Sequence, residues 1–320
     1  MSSRLHTHLG PMFLEYPVIN ASGTLDLLET ADALGLDGDY RVPVAAYVPK
    51  TVTMLPREGN PTPRVAEVAA GMVNSIGLPN EGVKAFVADT LPRLLNLTCP
   101  LIVNVAGFSR DEYVSVVERV SRALADELGS DKGTWAPRVG IELNVSCPNV
   151  DSGCMSIGTD AEEIARLTQA VRDVWPTPLL LAVKLTPNVT DIASMALAAE
   201  EAGASAVSLV NTFKGLIVDR DTLKPYLGGI TGGLSGPAIK PLALRCVFEV
   251  AAVVDIPIIG MGGIACTQDV VEFMACGASV VAVGAAGFVD PWLPARLAEE
   301  LEEVLCERSL TLSELIGKIH

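Results

Sequence analysis

Short runs of Val, Ile and Leu recur along the chain with almost no polar residue inside them. Longer stretches with apolar residues at helical spacing separate them. The short runs are Val18–Ala21, Ala45–Lys50, Leu101–Val105, Val139–Asn144, Leu179–Lys184, Ala206–Asn211, Pro257–Gly260 and Val280–Val283. A strand with one wet face alternates apolar and polar residues. A strand covered on both faces does not, so these runs predict a parallel sheet sandwiched by helices. The intervening pattern predicts helices over Glu81–Leu91, Asp111–Leu128, Asp160–Val174, Asp191–Ala202, Pro237–Val253, Thr267–Cys276 and Pro291–Leu305. Thr159 with an acid three residues on (Glu162) is a start signal, and Pro237 suits a first helical turn. Gly203 and Gly277 stand where helices stop.

Eight such strands, each followed by helix or loop, predict an α/β fold of the (β/α)8 TIM-barrel type, with residues 1–320 as a single barrel domain. A doubly wound open sheet is the competing arrangement. Two long Pro-, Gly- and Asn-rich segments, Thr51 to Asn80 and Thr212 to Ser235, follow the second and sixth strands. Structureless loops beyond about 15 residues are uncommon unless functional. Barrel enzymes place their chemistry where these segments begin, at the C-terminal ends of the strands.

Composition narrows the classes. With 49% apolar and 19% charged residues the chain is neither disordered nor collagen-like. A net charge of -15 argues against nucleic acid, whose phosphates need a basic surface. The mean hydropathy is high, +0.39, but the longest uncharged run, Phe273 to Val289, contains three glycines and is short for a membrane span of about 20 residues. A polar N-terminus and seven cysteines without a Cys-x-x-Cys pair point to a cytoplasmic protein with reduced thiols. The three histidines, His6, His8 and His320, sit at the extreme ends. That placement argues against a His general base, a Ser-His-Asp triad or a His-ligated metal centre.

The chemistry-bearing residues gather at strand ends. They are Asn20-Ala-Ser-Gly23, Lys50-Thr51, Asn104-Val-Ala-Gly107, Asn144-Val-Ser-Cys-Pro-Asn149, Lys184-Leu-Thr-Pro-Asn188, Asn211-Thr212, Gly260-Met-Gly-Gly263 and Gly284-Ala285. Amides both donate and accept, so they can read a ring with carbonyl and N–H edges, and two lysines suit an anion. A buried Asn taken singly more often caps a loop; five strands ending in Asn or Lys favour a site. Gly260-Met-Gly-Gly-Ile-Ala265 matches a dinucleotide-binding pattern, but the next strand ends without the ribose-binding acid. A phosphate cradle for a mononucleotide such as FMN, formed by Gly262, Gly263, Gly284 and Ala285 after the last two strands, fits better. Cys147 follows the fourth strand on a polar loop and can serve as nucleophile or proton acceptor; Cys154 is its rival.

These pieces resemble the class 1 dihydroorotate dehydrogenases, FMN flavoproteins of pyrimidine biosynthesis. The resemblance is carried by Asn20-Ala-Ser-Gly-Thr24, Lys50-Thr-Val-Thr53, Arg57-Glu-Gly-Asn-Pro-Thr-Pro-Arg64, Asn74-Ser-Ile-Gly-Leu-Pro-Asn80, Asn104-Val-Ala-Gly107, Asn144-Val-Ser-Cys-Pro-Asn149, Lys184-Leu-Thr-Pro-Asn-Val-Thr-Asp191, Gly232-Gly-Leu-Ser-Gly-Pro-Ala-Ile-Lys-Pro241 and Gly260-Met-Gly-Gly-Ile264, in the family's order. It implies oxidation of dihydroorotate to orotate, with Cys147 as base and Lys50 and Lys184 as charge partners. For FMN it implies Ser22, Gly23, Lys50, Thr51, Asn104, Asn144, Lys184, Val210, Ser235, Gly236, Gly262, Gly263, Gly284 and Ala285. For the pyrimidine it implies Lys50, Asn74, Ser75, Ile76, Gly77, Leu78, Asn144, Asn149, Asn211 and Thr212. The Gly232–Pro241 stretch and Ile259-Gly-Met-Gly-Gly263 look most like subclass 1B, whose catalytic subunit hands electrons to NAD through a second subunit carrying FAD and a [2Fe–2S] cluster; a homodimer of this chain is also expected. Asn20-Ala-Ser-Gly23 and Asn74-Ser75 look closer to the fumarate-reducing subclass 1A. A dihydropyrimidine dehydrogenase module, similar in Lys184–Asp191 but with Ser-Cys-Pro-His at the thiol, is a further alternative. The chain also departs from the 1B pattern at Thr24-Leu-Asp-Leu-Leu28.

Overall fold

The computed structural model describes residues 3–34, 42–146 and 157–320. In chain order its strands are β1 (Thr7–Leu9), β2 (Met12–Leu14), β3 (Val18–Asn20), β4 (Val65–Val68), β5 (Gly71–Asn74) and β6 (Leu101–Val105). Then follow β7 (Val139–Asn144), β8 (Leu180–Lys184), β9 (Ala206–Leu209), β10 (Phe213–Leu216), β11 (Thr231–Ser235), β12 (Ile258–Met261) and β13 (Val280–Val283). Seven of them form one parallel sheet in the order β3-β13-β12-β9-β8-β7-β6. Every residue of these seven is buried, as their unbroken apolar runs require.

The expected second strand, Ala45–Lys50, is not a regular strand, and this corrects the sequence reading. It still closes the sheet. Ala45 N–H donates to Val18 O (3.0 Å), Ile102 N–H to Tyr47 O (2.9 Å) and Val52 N–H to Asn104 O (2.9 Å), so the segment lies between β3 and β6. The cause is local. Pro43 and Pro49 cannot donate to a ladder. The Asn20 side chain then takes both backbone groups of Val48: Nδ2 donates to Val48 O (2.8 Å), and Val48 N–H donates to Oδ1 (2.9 Å). An amide side chain thus does the work of a strand neighbour. The result is a closed (β/α)8 barrel, not an open doubly wound sheet.

Helices surround the barrel at Arg110–Leu128, Ala161–Val174, Ile192–Glu201, Lys240–Ala251, Thr267–Ala275 and Leu293–Glu307, close to the expected spans. The expected Glu81–Leu91 helix runs from Gly82 to Leu95 and is interrupted by a wider turn at Phe86–Thr90. Asp160, not Thr159, caps its helix, accepting from the backbone N–H groups of Glu162 and Glu163. Leu27–Leu34 forms a helix that periodicity missed.

The two long segments are not structureless. Their strands make one antiparallel sheet in the order β10-β11-β5-β4 over the C-terminal end of the barrel. The β1–β2 hairpin lies at the other end, with Leu5, Leu9, Met12 and Leu14 fully buried and Gly10 against Leu180 and Ser205, where β8 and β9 begin. Arg172 ties that end together, donating to Gly203 O, Trp175 O and Leu179 O at 2.9–3.0 Å. Among the described residues no helix is long and apolar enough to cross a membrane.

Candidate active site

A cavity of about 1130 Å³ opens at the C-terminal ends of the strands. Single small-molecule sites run to roughly 300–1,000 Å³, so there is room for a mononucleotide and a second small ring. Its walls come from almost every strand end: Ser22 and Gly23 after β3, Lys50 and Thr51 after the irregular segment, Asn144 and Lys184 closing β7 and β8, Val210 to Thr212 after β9, Gly262 and Gly263 after β12, and Gly284 and Ala285 after β13. The antiparallel sheet supplies Asn74 and Ser235, and the chain next to it Ile76, Gly77, Leu78 and Gly236.

Lys184 is the polar end of an otherwise apolar strand. It is 5% exposed, faces the cavity, and has no carboxylate within ion-pair distance among the described residues. A buried cation is costly unless an anion meets it. Lys50 reaches the same cavity along Gly23. At Gly23 φ is +72°, and a Cβ there would sit 2.9 Å from Lys50 Cδ, so glycine is what leaves the lysine its path. Two lysines and few wall carboxylates, Glu67 and Asp290, make this a site for an anionic ligand.

The amides are held, not loose. Asn144 Nδ2 donates to Thr51 Oγ1 (3.3 Å), while Ser146 Oγ donates to Asn144 Oδ1 (3.0 Å). Tyr113, fully buried, donates its hydroxyl to Asn144 O (2.8 Å) and fixes the end of β7. Asn211 Nδ2 donates to Ser146 Oγ (2.9 Å), and Thr212 N–H donates to Asn211 Oδ1 (2.8 Å). These contacts aim polar edges into the cavity at little cost in ordering when a ligand arrives.

Two expected site residues do not form the wall. Ser75 is fully buried behind it, its hydroxyl accepting from Asn60 Nδ2 (3.0 Å). Asn104 is also fully buried, inside the barrel, where its Nδ2 donates to Glu142 Oε2. Asn20 and Asn188 prove structural, binding Val48 and the Thr186–Lys214 region respectively. Cys147, Asn149 and the rival Cys154 lie outside the described residues.

The expected anion cradle lies at the ends of β12 and β13, where Gly284 and Ala285 open the one-turn helix Ala285–Phe288. The N–H groups just before the helix Thr267–Ala275 are taken: Ala265 and Cys266 N–H donate to Asp269 Oδ2 (2.8 and 3.0 Å). Lys240 Nζ pairs with the other oxygen at 2.6 Å. Burial raises the Asp269 carboxyl, but Lys240 and the two N–H groups outweigh it and hold the group below its ordinary value. The backbone of Gly262, Gly263, Gly284 and Ala285 lines the cavity and can approach a phosphate. At Gly263 φ is +83°, and a Cβ would lie 2.9 Å from Gly236 O, so the two glycine loops touch.

FMN suits this donor set. The glycine loops offer close backbone approach for a phosphate, and Lys184 a buried cation for an anionic ring edge. Asn104 Oδ1, behind the wall, is the one buried side-chain polar atom without a hydrogen-bond partner among the described residues. Sequence reasoning missed the hairpin wall from Val65 to Met72 and the rim formed by Phe288, Val289, Leu293 and Arg296. The residues Val65-Ala-Glu-Val68 show no clean apolar–polar alternation, so the hairpin gave no strong signal beyond Gly71.

Residues 4–305 match the protein-family model described as dihydroorotate dehydrogenase. A dihydroorotate dehydrogenase B (NAD(+)), catalytic subunit, of Bacillus pumilus is 45% identical over 316 residues, 98% of this chain and 96% of the relative. The protein of that name from Desulforudis audaxviator is 43% identical over 309 residues, 96% of this chain and 94% of the relative. A crystal structure of a dihydroorotate dehydrogenase from Eimeria tenella in complex with ferulenol superimposes with a TM-score of 0.75 at 22% identity, covering 99% of this chain and 88% of that one. This last likeness bears on the fold alone.

Proposed function

Because the chain belongs to the dihydroorotate dehydrogenase family, we propose that it oxidises (S)-dihydroorotate to orotate in pyrimidine biosynthesis as the FMN-bearing catalytic subunit of an NAD-dependent enzyme. The observation that carries this reading is the cavity itself. It joins a glycine cradle, two lysines and a set of anchored amides at the ends of the barrel strands.

The reaction removes a proton from C5 and a hydride from C6 of dihydroorotate. Bound FMN supplies the hydride acceptor. Cys147 takes the C5 proton; a positioned base of this kind contributes roughly 10²–10⁴ in rate. Lys50 pairs with the substrate carboxylate, and Asn74, Asn144, Asn149, Asn211 and Thr212, with the backbone of Ser75 to Leu78, hold the pyrimidine edges. Lys184 would supply positive charge beside the bound cofactor, and being desolvated it would do so strongly. Ser22, Gly23, Thr51, Val210, Ser235, Gly236 and the glycine cradle would hold FMN. The relatives' printed names include NAD(+) and "catalytic subunit", which supports a second, electron-transferring subunit; the family resemblance implies that this partner carries FAD and a [2Fe–2S] cluster. We also assign a homodimer in the cytoplasm. The purified chain should carry a yellow chromophore that heat releases as FMN, and orotate should perturb its visible spectrum. A colourless chain that takes up no FMN would refute the reading.

A further inference from the structure

Two loops of the cavity wall come from different sheets. Ser235 and Gly236 end β11 of the antiparallel sheet, and Gly262 to Ala265 follow barrel strand β12. They meet at Gly263, where a Cβ would lie 2.9 Å from both Gly236 O and Lys240 Cβ. The tie between them is made one step behind the wall. Lys240 opens the helix Lys240–Ala251, four residues after Gly236. Its ammonium reaches Asp269 Oδ1 at 2.6 Å and Glu272 Oε2 at 3.0 Å. Asp269 is 6% exposed, and its other oxygen accepts from Ala265 N–H (2.8 Å) and Cys266 N–H (3.0 Å). Ala265 is itself a wall residue, whereas neither Lys240 nor Asp269 lines the cavity. A chain of charge-assisted hydrogen bonds therefore runs from the helix after Gly236 to the backbone of the glycine loop.

A neutral side chain could accept from the same two N–H groups. A carboxylate one hydrogen bond behind a phosphate cradle repels the phosphate, and burial limits the water that would screen it. Lys240 removes that repulsion. Its hydrogen bonds to Asp269 and Glu272 push the ammonium pKa up, so it stays charged at neutral pH. Glu272 is one-third exposed and left to water. We propose that Lys240 and Asp269 are a positioning pair for the phosphate end of the ligand: Asp269 holds the Gly262–Ala265 loop by its backbone, and Lys240 ties that carboxylate to the Gly236 loop while cancelling its charge behind the cradle. This rests on the FMN reading above and adds to it two residues that themselves touch no ligand.

FMN and riboflavin differ only in the phosphate, so together they separate this role from general support of the fold. Apoprotein is prepared for wild type, Lys240→Met, Lys240→Arg and the double variant Lys240→Met/Asp269→Asn. The Kd of each flavin is measured by quenching of flavin fluorescence, alongside the Tm of the apoprotein. Lys240→Met leaves the Asp269 charge uncancelled and the loop untied. Its FMN Kd should rise about tenfold while its riboflavin Kd stays within about twofold of wild type. Lys240→Arg keeps the charge, and its FMN Kd should stay within about threefold of wild type. In the double variant the amide oxygen at position 269 still accepts from the loop and no charge remains behind the cradle. Its FMN Kd should recover to within about threefold of wild type, although its Tm stays below it. Equal rises in Kd for FMN and riboflavin in Lys240→Met would overturn the proposal, because the pair would then merely support the fold. So would wild-type FMN affinity in Lys240→Met, or a double variant that binds FMN no better than Lys240→Met alone. Wild-type protein that binds neither flavin would instead refute the functional reading on which the proposal stands.

Discussion

At the scale of single residues, the site depends on polar groups whose burial makes them effective. Lys184 is the clearest case. In water one ammonium does little, but at this buried position it would meet an anion with little screening. Replacing it with Ala should weaken FMN retention and slow flavin reduction by dihydroorotate, whereas Lys50→Ala should chiefly raise the orotate Kd. An unchanged orotate Kd in Lys50→Ala would refute its carboxylate role. Cys147→Ala should keep FMN bound while reduction by dihydroorotate falls on the order of 10²–10⁴-fold in stopped flow. A larger effect from Cys154→Ala would transfer the base to that residue. Much of the wall was legible, because Asn, Lys and Gly at strand ends are chemically conspicuous. Sequence does not say which way a buried amide turns, so Asn20 and Asn188 looked like site residues when they hold backbone, and Glu142 inside an apolar run went unread.

At the scale of elements, two devices shape the rim. One is the grip of Asn20 on Val48, which replaces a strand pairing that Pro43 and Pro49 prevent. Asn20→Ala leaves a buried N–H and a buried C=O unsatisfied, a cost of roughly 1–3 kcal/mol each. The Tm should fall, and orotate affinity should fall with it because Lys50 follows two residues later. A lowered Tm with normal orotate affinity would show that the segment keeps its course without the amide. The other device is Asp269, whose depressed carboxyl contributes stability that is present above its unfolded value near about 3.9 and is lost as the pH falls below it, through the folded value. Asp269→Asn should lower the Tm at neutral pH, and the gap to wild type should close in acid; a gap independent of pH would contradict the assignment. Hydrophobic runs made the barrel strands and most helices readable in advance. The antiparallel sheet was hidden because its strands are short, rich in Gly and set in Pro-rich chain, so turn signals prevailed.

At the scale of the molecule, one barrel mouth brings together residues from Ser22 to Arg296, and the acidic chain around it leaves the cavity cationic at its core. The chain carries no sequence signature for a nicotinamide ribose site, so with dihydroorotate and NAD⁺ alone it should turn over slowly, and a partner subunit should restore the rate. Rapid fumarate reduction by the isolated chain would place it instead with the fumarate-dependent enzymes. The central claim is narrower than the choice of acceptor, and one experiment reaches it. The FMN-loaded chain is mixed anaerobically with dihydroorotate, without any acceptor, while flavin absorbance and orotate are followed together. The account predicts bleaching of the flavin with one orotate formed per flavin reduced. Flavin that stays oxidised in the presence of dihydroorotate, with no orotate formed, would contradict it.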